Sequence, residues 1–392
     1  MEQFDYIVAG GGLAGLSLLV TLIDEHLLDG KRVLLLENQL ASRSERTWCY
    51  WDREDASGSF PAMLSCHFWK AGSFSSKSFS LPFDLFPLQY YCVTGADFYA
   101  YALEKISAHP EIQIKNESVK SLKNEGDHVL VTAGNTYRAN WAFSSILPRA
   151  LAEQAGRHYL LQHFKGWWVN MDEPVFDDKT ASLFDFNCLP NSADPLGGNT
   201  FVYILPLDSK FALVEYTIFS ASLARKEEYD AGLSEYLSVR YPGKSYSIKS
   251  TEEGLIPMTN HNFVQQKGQI VYLGTAGGQT KPSSGFTFKF VQKHSERIAW
   301  ALKSSGKPVV IPYKSSRRFS FYDSVFLRIL KEGSLSAEEI FARLFSRNPA
   351  ALVFRFLDND TSLAEEIKLM RSLQIGVFTL AAVKELTGRY AS

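Results

Sequence analysis

The stretch DYIVAGGGLAGLSLLVTLIDE (Asp5–Glu25) constrains the fold more than any other part of this chain. Tyr6 to Ala9 read as a short buried strand, a glycine turn follows, and the apolar periodicity after it is that of a helix. Gly10, Gly12 and Gly15 fall at the G-x-G-x-x-G spacing. The three glycines suit a tight turn, close approach of backbone to a pyrophosphate, and close packing of helix on strand. Leu13 and Ala14 open the helix, whose free N–H groups and positive dipole favour an anion. A second strand, RVLLLE, ends at Glu37, 22 residues after Gly15, the place of an acid that binds ribose hydroxyls. A chance glycine-rich turn explains the glycines but not the whole unit. The chain therefore opens with a dinucleotide-binding βαβ unit.

Position and a second segment favour FAD over NAD. A fingerprint at the extreme amino end is usual for a flavin domain that a substrate domain later interrupts. GQIVYLGTAGGQTKPSSGFTFKFVQKHSERIAWAL (residues 268–302) gives a strand from Ile270 to Leu273, a loop rich in Gly, Ser and Thr, and a long helix from about Phe286. Such a loop offers backbone donors to an anionic group. A purely structural turn has less use for the eight glycine or hydroxyl residues of 274–285.

Composition narrows the classes further. The chain has 392 residues, room for two domains and a large core. A net charge of −1 leaves no electrostatic footprint for nucleic acid. The aromatic share of 14 % suits a large apolar ligand as well as an aromatic core. Cys49, Cys66, Cys92 and Cys188 form no C-x-x-C pair, which argues against a metal site or a disulfide scaffold and fits a reducing compartment. The start MEQFDYIVAGGG has no signal-peptide pattern, and no apolar run reaches the ~20 residues of a spanning helix. The expectation is a cytoplasmic protein that touches a membrane without crossing it.

Several segments, in order, resemble the flavin-dependent lycopene cyclases of carotenoid biosynthesis. They are ERTWCYW (Glu45–Trp51), QHFKGWWV (Gln162–Val169), FVYILPLDSKFALVEYT (Phe201–Thr217), EEGLIPM (Glu252–Met258), LGTAGGQTKPSSGFTFKFVQ (Leu273–Gln292) and VFRFLDNDTSLAEEIKLM (Val353–Met370). Thr275 after Gly274 replaces the aspartate of general flavin hydroxylases, a departure that the cyclases share. Tyr216 stands where plant members carry a second acid, so only Glu215 carries over. In LFDFN, Asn187 replaces an arginine of the family.

The resemblance implies a lycopene β-cyclase, an isomerase of carotenoid biosynthesis that uses reduced FAD, with NAD(P)H needed only to reduce the flavin. It implies cofactor contacts from Gly10, Gly12, Leu13, Ala14, Gly15, Glu37, Arg46, Thr47, Trp48, Val119, Gly274, Thr275, Ala276, Gly277, Ser284, Gly285 and Phe286. Substrate contacts fall to Trp167, Tyr203 and Asp185, and the partner is lycopene or a related carotenoid. No metal enters.

Within KFALVEYTIFS (Lys210–Ser220), a β-rich stretch, strand alternation puts Glu215 on one face with Leu213, Thr217 and Phe219, and Tyr216 on the other. Ring closure of lycopene starts with a proton added to carbon, and an exposed glutamate is ionised at neutral pH. Burial raises a carboxyl's pKa and keeps it protonated. Glu215 is thus the candidate general acid or base. From the strand pattern alone, a solvent-facing or lysine-paired carboxylate explains it as well.

The expected fold is α/β. A Rossmann-type FAD-binding domain takes residues 1–50, 90–160 and 255–310. An interleaved antiparallel-sheet substrate domain takes 51–89 and 161–254, with a hairpin at Pro206–Lys210, and 311–392 form a helical region. AEEIFARLF (Ala337–Phe345) sets Ile340, Phe341, Leu344 and Phe345 at helical spacing, and Pro349 marks a break. The last helix, LQIGVFTLAAVKEL (Leu373–Leu386), reads either as a membrane-surface element or as a buried cap. Two other functions share this fold: an FAD-dependent monooxygenase or prenyl reductase, and a non-catalytic carotenoid-binding protein.

Overall fold

The computed structural model describes residues 1–39, 45–53, 64, 67–147, 157–186, 199–309 and 316–388. Asn187, Cys66 and Cys188 lie outside the described residues.

An eight-stranded sheet has the order β17 (Gln266–Lys267), β18 (Ile270–Tyr272), β11 (Thr136–Ser144), β1 (Glu2–Ala9), β2 (Val33–Leu36) and β8 (Ile112–Lys115). β9 (Ser121–Glu125) and β10 (His128–Thr132) extend it from β11. β18, β11, β1, β2 and β8 run parallel. Parallel strands bury both faces, which is why VLLL of β2 is apolar throughout. Helices α1 (Leu13–Asp24), α2 (Gly95–Ser107) and α4 (Phe288–Ser305) close one face over a core that includes Val8, Leu35, Phe98 and Ile298. Val129 and Val131 of β10 close the other over Ile7 and Leu34. The carboxyl ends of β1 and β11 lie side by side where the strand order reverses, the place for a ligand crevice in such a sheet.

A seven-stranded sheet has the order β16 (Tyr246–Thr259), β12 (Tyr159–Met171), β15 (Phe211–Ser220), β14 (Thr200–Pro206), β13 (Thr180–Asp185), β5 (Ala71–Ser75) and β6 (Ser80–Asp84). All its pairs are antiparallel except β13 with β5. No hairpin joins those two, so the chain leaves their relative direction free. The expected hairpin joins β14 to β15, with the Asp208 carboxylate accepting from the N–H groups of Lys210 (2.7 Å) and Phe211 (2.8 Å). Helix α3 (Lys226–Arg240) covers one face through Leu233, Tyr236 and Leu237. β3 (Thr47–Arg53), β7 (Leu88–Thr94) and β4 (His67–Trp69) form a separate three-stranded sheet instead of joining the larger one.

The chain ends in α5 (Ser316–Lys331), α6 (Ala337–Arg347), α7 (Ala350–Leu357), α8 (Leu363–Ser372) and α9 (Ile375–Leu386). Ser336 and Ser362 cap α6 and α8, each with a glutamate three residues on returning the bond. Ile340, Phe341, Leu344 and Phe345 are buried as their spacing predicts, and Pro349 starts α7. α9 buries Ala381 but leaves Ile375, Leu380, Val383 and Leu386 exposed, so it caps the bundle and still shows an apolar stripe. No helix among the described residues is long and apolar enough to cross a membrane.

Candidate active site

A chamber of about 520 Å3 lies between the two large sheets. One wall is the glycine turn. Gly10 has φ +106°, where an L side chain is strained, and a Cβ on Gly15 would stand 2.0 Å from the Gly10 carbonyl oxygen. Gly12 caps α1 with no side-chain acceptor, leaving the first N–H groups of the helix free, and Gly12, Leu13 and Ala14 face the chamber. Glu37 is buried at the tip of β2, where its carboxylate accepts from the N–H groups of Gly11 (2.8 Å), Asn38 (2.9 Å) and Gln39 (3.0 Å).

The second wall is the later glycine-rich segment. Gly274 (φ +58°) would place a Cβ 2.9 Å from that of Ala14, so its bareness lets the two loops meet. Gly274, Thr275, Ser284, Gly285 and Phe286 line the chamber. Two buried polar atoms there lack a partner, Ser284 Oγ and Gln162 Oε1. A Cβ at Gly285 (φ +71°) would sit 2.3 Å from Gln162 Oε1. Free N–H groups, orphaned acceptors and absent side chains fit a polar, phosphate-bearing cofactor.

The seven-stranded sheet supplies the third wall. Register places Glu252 of β16, Gly166 of β12, Glu215 of β15 and Tyr203 of β14 in one cross-strand row. Glu215, Glu252 and Tyr203 all line the chamber. A Cβ on Gly166 would come within 3.0 Å of Glu252 Cγ and 2.8 Å of Leu213 Cδ1, so glycine leaves the gap in which the two carboxyls meet. Thr217 donates to Glu215 (2.8 Å) and Thr47 to Glu252 (2.6 Å). Trp168 also bonds to Glu252.

Burial, then the charge of Glu252, pushes the Glu215 carboxyl up to about 8. Burial also raises Glu252, to about 7, against the pull of Thr47, Trp168, Glu215 and Arg46. Two carboxyls in contact cannot both ionise cheaply, so the pair holds on to a proton at neutral pH. Burial and Glu215 push the Tyr203 phenol well up, which keeps it a neutral O–H.

A family model described as lycopene cyclase protein matches residues 5–384. The chain belongs to that family. No curated protein matches it. Among solved structures it is similar to a geranylgeranyl bacteriochlorophyll reductase-like protein from Thermoplasma acidophilum, at 14 % identity and TM-score 0.62 over 97 % of this chain and 98 % of that one. It is similar also to a flavoprotein/dehydrogenase from Cytophaga hutchinsonii (12 %, TM-score 0.62, 99 % and 100 % covered). A third is p-nitrophenol 4-monooxygenase from Pseudomonas putida (15 %, TM-score 0.53, 100 % of both). At these identities the likeness shows a shared fold.

In this member of the cyclase family, the chamber gathers Gly12, Leu13, Ala14, Arg46, Thr47, Trp48, Tyr203, Glu215, Gly274, Thr275, Ser284, Gly285 and Phe286 from the sequence-based set. Gly10, Gly15, Ala276 and Gly277 shape the loops behind it. Val119 packs elsewhere, beside the core of Ile7 and Leu34 on the other face of the parallel sheet. Trp167 pairs with Val214, on the face opposite Glu215, and is buried with Tyr216 under α3. Asp185 is also drawn to that side, accepting from Tyr236 of α3 (2.8 Å). Neither lines the chamber: a one-residue step along a strand reverses the face.

Sequence reasoning missed Glu252, Gly166 and Gln162 as site residues. Within EEGLIPM, strand alternation puts Glu252, Gly254 and Ile256 on one face, and Ile256 pairs with Gln162. Nothing local pairs Glu252 with Glu215, which lies on another strand.

Proposed function

We propose that this chain is a lycopene β-cyclase, closing the linear end groups of lycopene to β-ionone rings, as in γ- and β-carotene, without net redox change. The observation that carries this reading is the buried Glu215–Glu252 pair, set side by side across Gly166 and facing a chamber walled by two glycine-rich loops. The glycine turn, Glu37 and residues 274–277 and 284–286 would hold FAD, with Arg46, Thr47 and Trp48 beside it. When bound in its reduced state, which NAD(P)H would provide, FAD supplies negative charge near a developing cation.

The chain's own residues do the proton work. Glu215 gives its proton to a terminal double bond, and an internal double bond attacks the resulting cation to form the new ring bond. Loss of a ring proton to the carboxylate pair restores the starting state, so the formula of the substrate is unchanged. Thr217 orients Glu215, while Thr47 and Trp168 favour the charged form of Glu252. Leu213, Leu205 and Phe286 keep water from the cation. The carotenoid substrate, the contact with a lipid surface and the cytoplasmic location belong to the same reading. So does the division into an FAD-binding and a substrate-binding domain.

Purified protein given lycopene in liposomes, FAD and NADPH without oxygen should yield cyclised pigment by chromatography. Substrate left linear under these conditions but reduced with stoichiometric NADPH use, or hydroxylated with stoichiometric NADPH use once oxygen is admitted, would instead establish the redox alternative.

A further inference from the structure

A second cavity, of about 510 Å3, lies inside the C-terminal helices and takes no part in the site described above. Val325 and Phe326 of α5, Ile340 and Leu344 of α6, Leu369 of α8 and Phe378 of α9 give it an apolar wall. Its two buried acids are already satisfied: Asp323 pairs with Lys281 (2.9 Å), and Glu366 with Arg318 (2.9 Å) and Tyr322 (2.9 Å). Arg371 and Thr379 bring polar groups to its exposed side, but the wall is otherwise mainly apolar and suits a hydrocarbon.

It is also next to the reaction chamber. Ser283 lines the cavity and its neighbour Ser284 lines the chamber. Elsewhere a run of three aromatic rings separates the two spaces. Phe341, on the cavity wall, stacks on Phe184 at 4.8 Å, and Phe184 meets Tyr203, on the chamber wall, at 5.5 Å. A partition of side chains opens by rotamer change, where one of backbone would not. The chamber also has to admit a cofactor head against its glycine wall. A long, stiff conjugated chain cannot coil into the rest and must leave it.

We infer that the C-terminal cavity holds the unreacted length of the linear hydrocarbon whose end group lies beside Glu215. This rests on the cyclisation proposed above. The cavity's outer rim fits the role, because Ile367 (52 % exposed) and Ile375 (60 %) line it and stand at the surface among exposed Leu363, Leu380 and Val383. The far end of the chain leaves there, over an apolar surface.

The test narrows the cavity and varies the chain. In the full-length protein, Ala382→Phe and Leu344→Phe each fill the cavity, and Thr379→Trp does so from its exposed rim should those changes unfold the chain. The KM for lycopene divided by that for a truncated acyclic polyene with the same end group should rise about tenfold. Retention of lycopene on gel filtration by Glu215→Gln protein should fall when the filling change is added. A KM ratio and a retention that both stay at their unfilled values overturn the inference. So does release of a co-purified lipid chain with lycopene retention intact. Wild-type protein that retains lycopene without converting it, and loses it on filling, refutes the cyclase reading but supports the cavity's role.

Discussion

The C-terminal helices and the chamber both bury carboxylates, and they treat them oppositely. In the helical region the buried acids Asp323, Glu366 and Glu385 each meet a cation, from Lys281, Arg318 and Arg328 in turn. In the chamber, Glu215 meets another acid, and no cation among the described residues offsets it. Arg46 acts on Glu252 only, from an exposed position. A paired buried charge fixes how elements dock, whereas an unpaired one is kept neutral and is available as a proton donor. The ion pairs also reach the site. Lys281 lies in the turn that carries Ser284, and its ammonium binds both Asp323 on α5 and Asn359 beyond α7 (2.7 Å), so the glycine-rich loop is tied to the helical bundle.

Substitutions should separate the two kinds of acid. The largest effect is expected from Glu215→Gln, which should lower the rate of cyclisation on the order of 10² to 10⁴-fold while the protein stays folded. Initial rates on lycopene liposomes measure it, and near wild-type turnover would remove Glu215 from the chemistry. Lys281→Met should do the reverse. It leaves Asp323 buried without its cation and should cost about 3 kcal/mol of stability, read from denaturant melts. A change below about 0.5 kcal/mol would mean that the pair is no anchor.

Gly166→Ala tests the meeting of the two carboxyls. The added methyl collides with movable side chains, Leu213 and Glu252, so the fold should survive while Glu252 is pushed aside. Turnover should fall about tenfold with an unshifted melting curve. A last effect is on the pH dependence of stability. The folded-state value of Glu215 is raised, so between the ordinary carboxylate value and about 8 the folded chain binds more protons than the unfolded one. Stability should fall as pH rises through that window, and Glu215→Gln should flatten the slope. Activity should decline above about pH 8 for the same reason, as the donor loses its proton. An acid-side fall in stability that Glu215→Gln removes would refute the raised value.

Much of this was legible in the chain because it depends on local rules. The glycine spacing of residues 10–15 fixed a strand, turn and helix, and alternation along β15 placed Glu215 and Tyr216 on opposite faces as found. The four apolar positions of α6 and the hairpin at Asp208 follow from period and turn chemistry alone. Trp167 and Asp185 show where this stops. Both lie in segments that the family resemblance singled out, yet the pairing of β12 with β15 and the cover of α3 turn them away from the chamber.

The amino-acid order alone determined the opening strand–glycine turn–helix unit, the helical tail and the oddity of a glutamate on an apolar strand. These are set by neighbours a few residues apart, whose periodicity is written in the chain. Only the tertiary structure decided that Glu252, on a strand 37 residues later, would face Glu215 across a bare Gly166. Cross-strand register and the low-dielectric gap it leaves arise from packing between distant segments, and that packing is what turns an ordinary carboxylate into one that keeps its proton.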